Sequence, residues 1–340
     1  MLGRSNSVKV KGWISTTMPS DLCSVLIKNG GFPASQVGGA MFKKDISRYF
    51  RVKPGTKVKL DYFSASEGGP KAFRKLDKKE LKEAVEKMLE KNIAELAEAQ
   101  QLLYANDVYS LLLVFQAVDA AGKDSMIKHV MSGINPQGCQ VFSFKQPSAE
   151  ELDHNFLWRY YKALPERGRI GIFNRSHYEE VLVVKVHKEL LLKQKLPPAE
   201  FDRQFWKDRY DDINNFEKHL ARNGTIILKF FLNVSKEEQK KRFLKRLDDP
   251  SKSWKFSAAD IAERSAWKDY RRVFEEAFTE TSTKWAPWYI IPSDHKWLAH
   301  AVVASIITKS IESLKLKNPE VTEEQKKRLA EARKSLENEK

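Results

Sequence analysis

Apolar and polar residues alternate along the chain in a pattern typical of an α/β protein. Five apolar runs have the length of strands, at residues 111–118, 140–144, 169–174, 225–232 and 288–291. The first run is almost continuously apolar, as expected for a strand that is buried on both faces. Helical periodicity predicts helices at about residues 124–132, 149–163, 198–222, 236–247 and 258–280. This alternation predicts an α/β fold in which helices cover both faces of a parallel sheet.

The ends of the chain differ from this central part. Asp77 and Glu80 form a capping-box pattern, which predicts that a long amphipathic helix begins there and ends near Tyr104. Residues 1–40 show neither helical nor strand periodicity, and we expect a disordered or non-native extension, with Met41 as an alternative start. We therefore divide the chain into residues 1–40, an N-terminal segment and helix at 41–105, a core at 106–316 and a charged tail at 317–340, which we expect to be a solvated helix or disordered.

Composition narrows the class of protein. The 340 residues carry a formal net charge of +15, and 41% are hydrophobic, which excludes a wholly disordered chain. Much of the positive charge lies in residues 1–60, so a globally basic surface for nucleic acid is a weak inference. The chain has no run of 18 uncharged apolar residues and has only two cysteines, Cys23 and Cys139. We expect a cytoplasmic protein with no membrane or specific nucleic-acid partner.

The segment that follows the first predicted strand is suited to binding phosphate. A loop of small residues ends in Gly122-Lys123 and runs directly into a helix, so backbone N–H groups and a lysine can face an anion. The segment departs from the usual phosphate-loop pattern, because Ala117 replaces the first glycine and Asp124 replaces the hydroxyl residue that holds Mg²⁺. Asp119 is therefore our candidate for a metal-binding carboxylate. A chance Gly-Lys pair at a helix start is the alternative interpretation.

Polar residues also follow the third predicted strand. Arg175 can bind phosphate oxygens with its forked guanidinium group, and Glu179 and Glu180 can hold a metal ion or orient a phosphate. His177 lacks a second histidine at metal-ligand spacing, so we favour a structural hydrogen bond over catalysis. Because the carboxyl ends of parallel strands meet at one edge of a sheet, we expect this segment to lie beside the phosphate loop.

A basic stretch at residues 240–255 offers further cations. A solvated helix face is the usual interpretation of such a stretch. The alternative interpretation is a mobile arm that closes over a phosphate site. Such an arm would need these cations, because charge neutralisation carries much of phosphoryl-transfer catalysis. The residues of interest are Arg242, Arg246, Lys252 and Lys255.

Together these segments resemble the family-2 polyphosphate kinases, from about Asp77 to about Leu314. The resemblance rests on residues 118–124, 133–136, 173–180, 246–250, 254–256 and 285–289. It implies a P-loop kinase fold similar to thymidylate kinase, with a helical lid at about residues 240–265. It also implies Mg²⁺-dependent transfer of phosphoryl groups between inorganic polyphosphate and nucleotides. Asn174 occupies the position where many members have aspartate. In this respect the chain resembles the subgroup that phosphorylates both AMP and ADP.

The resemblance also implies roles for individual residues. The implied catalytic residues are Asp119, Lys123, Arg175, Glu179 and Glu180, with Asp119 and Glu180 as ligands of Mg²⁺ or of Mn²⁺ in its place. The implied phosphate-binding residues are Ala120, Ala121, Gly122, Lys123, Asp124, Arg175, Arg242, Arg246, Lys252 and Lys255. Asn174 and Lys145 are candidates for the acceptor nucleotide, which is AMP or ADP and by extension GMP or GDP. A homo-oligomer is expected.

Two other classes of protein remain open from the residues themselves. An ATP-dependent nucleoside monophosphate kinase would have a similar loop and lid. A phosphate-loop module that binds nucleic acid without catalysis would account for the basic N-terminal segment.

Overall fold

Five parallel strands form the centre of the molecule. The computed structural model describes residues 46–68, 77–197, 200–251 and 258–339. The strand order is β2-β3-β1-β4-β5, and each adjacent pair is parallel. The strands are β1 Ser110–Gln116, β2 Cys139–Ser143, β3 Ile170–Asn174, β4 Thr225–Asn233 and β5 Trp288–Pro292.

Helices connect and cover these strands. The described α-helices are α1 Lys78–Asn106, α2 Lys123–Val130, α3 Ala149–Leu152, α4 Trp158–Tyr161, α5 Val183–Val186, α6 Arg203–Arg222, α7 Lys236–Leu247, α8 Ala258–Ser265, α9 Trp267–Thr281, α10 Lys296–Glu312 and α11 Glu323–Glu337. Short 3₁₀ segments lie at Ser47–Tyr49, Leu60–Tyr62, Pro136–Gly138, His177–Val181 and Lys188–Lys193.

The middle strand shows why the sheet needs two layers of helices. Every residue of β1 is buried. Successive side chains of a strand point to opposite faces, and accordingly Leu113 and Phe115 belong to one core while Leu112 and Val114 belong to another. The first core is completed by α1, α2 and α10, and the second by α6 and α9. The prediction of a parallel sheet covered on both faces is confirmed.

The five predicted strands are confirmed to within two residues at each end. The long helix after Asp77 is also confirmed, with the capping box that Asp77 and Glu80 predict. No described helix is long and apolar enough to cross a membrane. The expectations for residues 1–40 and Met41 concern residues outside the described ranges.

Two predicted helices are wrong as single helices. Residues 149–163 form α3 and α4, because the chain turns between them and the Asn155 side chain accepts a hydrogen bond from the Leu157 N–H. Residues 258–280 form α8 and α9, separated at Ala266, whose ψ of 16° is not helical. Helix α10 was not predicted. It is buried around most of its circumference and therefore lacks the polar stripe that marks an amphipathic helix.

Candidate active site

The loop after β1 leads directly into α2. Gly122 is the N-cap residue of α2 and has a φ of 103°, a conformation that residues with a side chain rarely adopt. Ala120 also has a positive φ, of 58°. Lys123 is the first residue of α2, and its Nζ donates to the Ala117 carbonyl at 3.0 Å. The lysine side chain therefore folds back across the loop toward the end of β1.

Arg175 joins the loop after β3 to this phosphate loop. Phe115 of β1 is in register with Asn174 of β3, so the two strands end side by side. The Arg175 backbone N–H donates to the Phe115 carbonyl at 3.1 Å, and its Nη2 lies 3.1 Å from Asp119 Oδ1. The expectation that the two polar segments lie beside each other is confirmed.

The cluster combines the cations Lys123 and Arg175 with the carboxylates Asp119 and Glu179. Burial lowers the pKa of Lys123, although Asp119 and Glu179 act against that shift. Burial also disfavours the charge of Arg175, but nearby Glu179 and Asp119 outweigh it and raise the arginine pKa. The pKa of Glu179 is raised by burial, which the cations Arg175 and Lys123 only partly offset. Glu179 therefore belongs to the same charged cluster as Asp119.

Glu180 faces a different set of partners. Its Oε1 lies 3.2 Å from Arg209 Nε, and its Oε2 accepts a hydrogen bond from Gln194 at 2.9 Å. Burial raises its pKa, and the charge of Arg209 acts against that shift. The carboxylates of the neighbouring residues Glu179 and Glu180 therefore lie in different surroundings.

A buried polar network anchors the segment that carries both glutamates. The Tyr178 hydroxyl donates to Glu217 Oε1 at 2.9 Å, and Lys229 Nζ donates to Glu217 Oε2 at 2.6 Å and to the Tyr178 hydroxyl at 2.7 Å. His177 Nε2 lies 3.3 Å from Glu217 Oε1, so the prediction of a structural histidine is confirmed. Burial lowers the pKa of Lys229 to about 8. Burial acts to raise the pKa of Glu217, but the charge of Lys229 and the contacts with His177 and Lys229 outweigh it and lower the pKa.

Arg242 lies at the phosphate loop, but its N–H groups bond to the protein. Its Nη1 donates to the Ala121 carbonyl at 2.7 Å, and its Nη2 donates to the Ser293 carbonyl at 2.5 Å. Its Nε donates to Glu238 at 2.9 Å. The side chain therefore fastens the loop to α7 and to the end of β5. Sequence reasoning recognised the charge of Arg242 but not this role.

The other predicted site residues are spread around the cluster. Arg246 Nη1 lies 3.6 Å from Asp260 Oδ2, which links α7 to α8. Asn174 Nδ2 donates to Asp124 Oδ1 at 2.9 Å. Lys145 lines the cavity described next. Lys252 and Lys255 lie outside the described residues.

A cavity of about 590 Å³ opens beside the charged cluster. Asp119, Arg175 and Glu179 line it together with further acidic and basic side chains. Its aromatic lining residues are Phe144, Phe156, Tyr160, Trp267, Tyr270 and Phe274. An apolar cavity with a few converging polar groups is typical of a small-molecule site. Sequence reasoning missed the aromatic wall, because its residues come from separate elements.

The carboxylates of this cluster suit a hard cation that takes most of its ligands from water and substrate. Within the described ranges, no group of three or more His, Cys, Asp or Glu side chains could hold a metal ion. Mg²⁺ usually binds one or two carboxylates and completes its coordination with water and substrate phosphates. Asp119 in the phosphate loop fits that pattern. The described residues do not provide the set of protein ligands that a structural zinc site needs.

The fold and this cluster define a phosphate-loop protein of the kinase type. Residues 78–319 match the family model described as "Polyphosphate kinase 2 (PPK2)". An ADP-polyphosphate phosphotransferase from Rhodopseudomonas palustris is 51% identical over 82% of this chain and 99% of its own. An AMP/ADP-polyphosphate phosphotransferase from Meiothermus ruber is 41% identical over 80% of this chain and 95% of its own.

A solved structure agrees with these relatives. The crystal structure of polyphosphate kinase 2 from Arthrobacter aurescens has a TM-score of 0.70 and 38% identity, over 82% of this chain and 94% of that one. The chain belongs to the polyphosphate kinase 2 family. The resemblance in the motifs and the kinase-type fold are both confirmed.

Proposed function

We propose that this protein transfers phosphoryl groups between inorganic polyphosphate and nucleotides, converting AMP to ADP and ADP to ATP, with Mg²⁺. One observation carries the proposal: the Asp119–Arg175 pair and Lys123 converge where β1 and β3 end, beside a cavity of about 590 Å³. The names of the Rhodopseudomonas palustris and Meiothermus ruber relatives support the donor and both acceptors.

The reaction asks little covalent chemistry of the protein. A terminal phosphate oxygen of the nucleotide attacks the terminal phosphorus of polyphosphate, a new P–O bond forms, and the bridging P–O bond to the rest of the chain breaks. The shortened polyphosphate leaves with the electron pair of that bond. The attacking oxygen is already anionic and needs no base. The protein's contribution is to align the two anions and neutralise their charge.

Lys123, Arg175 and the N-terminus of α2 are the groups that supply this neutralisation. Lys123 begins α2, so its ammonium and the helix N-terminus act on the same anion. Arg175 extends from the neighbouring strand end and offers a forked donor to phosphate oxygens. Ala120, Ala121 and Gly122 of the loop and Asp124 of α2 are the remaining positions of the proposed phosphate site.

Asp119 is the proposed protein ligand of Mg²⁺, with Mn²⁺ as a substitute. The ion, when bound, would offset the negative charge of the two phosphate groups. Glu179 is the better candidate for a second carboxylate, because it shares the charged cluster with Asp119. Glu180 was the candidate from sequence, and it would first have to release Arg209 and Gln194.

The cavity is the proposed site of the acceptor nucleotide. Its aromatic side chains can stack on a base, and Lys145 can face a phosphate or ribose. Asn174 donates to Asp124, and we propose that it acts on the acceptor through that contact. Family membership supports further proposals: use of GMP and GDP, assembly into a homo-oligomer and a cytoplasmic location.

The test is a single assay. Purified protein is incubated with Mg²⁺, long-chain polyphosphate and either AMP or ADP, and the nucleotides are separated over time. The proposal expects ADP and ATP to accumulate with polyphosphate as the only donor. A strict requirement for ATP would favour a nucleoside monophosphate kinase. Salt-sensitive binding of nucleic acid without any phosphoryl transfer would favour a non-catalytic module.

A further inference from the structure

The Gln239 side chain connects the phosphate loop to α8. Gln239 lies on α7 and is 2% exposed. Its Nε2 donates to the Asp119 backbone carbonyl at 2.9 Å, and its Oε1 accepts a hydrogen bond from Arg264 Nη1 at 2.6 Å. Arg264 Nη1 also donates to the Lys236 carbonyl at 2.8 Å.

The chemistry of the two partners determines the orientation of this amide. A backbone carbonyl can only accept a hydrogen bond, and a guanidinium group can only donate one. The glutamine oxygen must therefore face Arg264, and its NH₂ group must face Asp119. A glutamate at this position would place an acceptor against the Asp119 carbonyl, and a methionine would satisfy neither partner.

The contacts of α7 fix two carbonyl groups of the loop that are two residues apart. Gln239 holds the carbonyl of Asp119, and Arg242, one turn later, holds the carbonyl of Ala121. The carbonyls at both ends of this turn are therefore fixed by one helix. A shift of the Asp119 backbone would move its carboxylate relative to Arg175, with which it is paired.

We infer that Gln239 is a positioning residue for the phosphoryl-transfer site, and that Arg264 sets the orientation of its amide. The inference rests on the proposed function for the reaction that it affects. Gln239 acts through the Asp119 backbone. The expected consequence of its loss is a lower kcat, because a misplacement of about 1 Å in an aligned site costs about a hundredfold in rate.

The test compares Gln239→Glu with Gln239→Met. The glutamate keeps the contact with Arg264, loses the hydrogen bond to Asp119 and adds a negative charge, whereas the methionine loses both contacts and adds no charge. We expect kcat to fall about tenfold to a hundredfold in both variants, with the KM for ADP within about twofold of wild type. Gln101→Glu, the same change at an exposed position of α1, is the matched control and keeps wild-type kcat. If Gln239 only packs α7 against the core, Gln239→Met lowers the melting temperature and leaves kcat unchanged, which would overturn the inference.

Arg264 provides the second half of the test. Arg264 lines the cavity, so Arg264→Met alone could change kcat by a direct effect on substrate. The double variant with Gln239→Met separates the two explanations, because residues that act in series give non-additive effects. We expect the double variant to be no slower than the slower single variant. Multiplicative losses would overturn the link between Arg264 and Gln239.

Two features of the design separate failure of this inference from failure of the proposed function and from misfolding of a variant. Kinetics are measured with whichever donor the wild-type protein uses, so failure with polyphosphate overturns the proposed function and not this inference. Circular dichroism establishes the fold of each variant. Where Gln239→Glu does not fold, Gln239→Met carries the comparison of kcat.

Discussion

Arg175 Nη2 lies 3.1 Å from Asp119 Oδ1, and this pair joins the loops that follow two neighbouring strands. Arg175 has a φ of 65°, and its backbone N–H donates to the Phe115 carbonyl. The unusual backbone conformation turns the side chain toward the phosphate loop. An arginine and an aspartate separated by more than fifty residues of sequence are thereby paired at the edge of one proposed phosphate site.

Lys123 is the cation expected to matter most for turnover. We expect Lys123→Ala to lower kcat at least about a hundredfold, because it removes a fixed positive charge from the transferring group. The protein should stay folded, since the substitution removes a side chain at the start of α2 that is not part of either hydrophobic core. Steady-state kinetics and a thermal melt measure both effects. Lys128→Ala, at an exposed position of the same helix, is the control. Near-normal turnover in folded Lys123→Ala would refute the assignment.

Asp119 is expected to govern the dependence on divalent cations. Asp119→Asn keeps the shape of the side chain and removes its charge. It should lower kcat and raise the Mg²⁺ concentration needed for half-maximal rate. Titration of Mn²⁺ binding by electron paramagnetic resonance gives an independent measurement. A variant that keeps both its rate and its cation dependence would show that this carboxylate has another role.

Glu179 is expected to shape the acidic side of the pH profile. Burial raises its pKa above the usual 4.5, so the carboxylate takes up a proton at a higher pH than an exposed glutamate does. Below that pH the neutral side chain no longer balances Arg175 and Lys123, and turnover should fall. Glu179→Gln should be slow throughout and should lose this step in its pH profile.

The substrate phosphates also titrate, and a control variant separates their effect. Glu83→Gln, at an exposed position of α1, should keep the wild-type profile. An unchanged acidic step in Glu179→Gln would assign that step to the substrate.

Substitution of Arg242 tests whether its side chain acts as a mobile cation or holds two backbone carbonyl groups together. Its guanidinium group holds the Ala121 and Ser293 carbonyls together, which a lysine ammonium cannot do with the same geometry. We expect Arg242→Lys to lower kcat and to reduce the free energy of unfolding by about 1–3 kcal/mol. Chemical denaturation and kinetics measure the two effects. A role through charge alone predicts that Arg242→Lys behaves as wild type and that only Arg242→Met raises the KM for polyphosphate.

The sequence predicted the sheet and the phosphate loop because their signals are local. An apolar run followed by small residues, Gly122-Lys123 and a helical pattern lies within about twenty residues of sequence. The order of such units is sufficient to place the ends of β1 and β3 at one edge.

The remaining features of the site depend on contacts between distant residues. The Gln239–Asp119 hydrogen bond joins residues far apart in the chain, and neither residue type predicts the other. Lys229 left a signal that could have been used, since a lysine within an apolar strand must find a buried partner. The different partners of Glu179 and Glu180 follow from a 3₁₀ segment that the sequence pattern did not indicate.

The most direct measurement is the identity of the phosphoryl donor. Initial rates of ADP formation from AMP are compared at equal total phosphate for tripolyphosphate, long-chain polyphosphate and ATP. Each phosphate bound along a basic surface contributes by its charge, so the rate should rise with chain length and then level off, and binding should weaken as salt is added. Long-chain polyphosphate should exceed both tripolyphosphate and ATP as donor. A rate that does not depend on chain length, or ATP exceeding polyphosphate as donor to AMP, would contradict the account in favour of a nucleotide kinase.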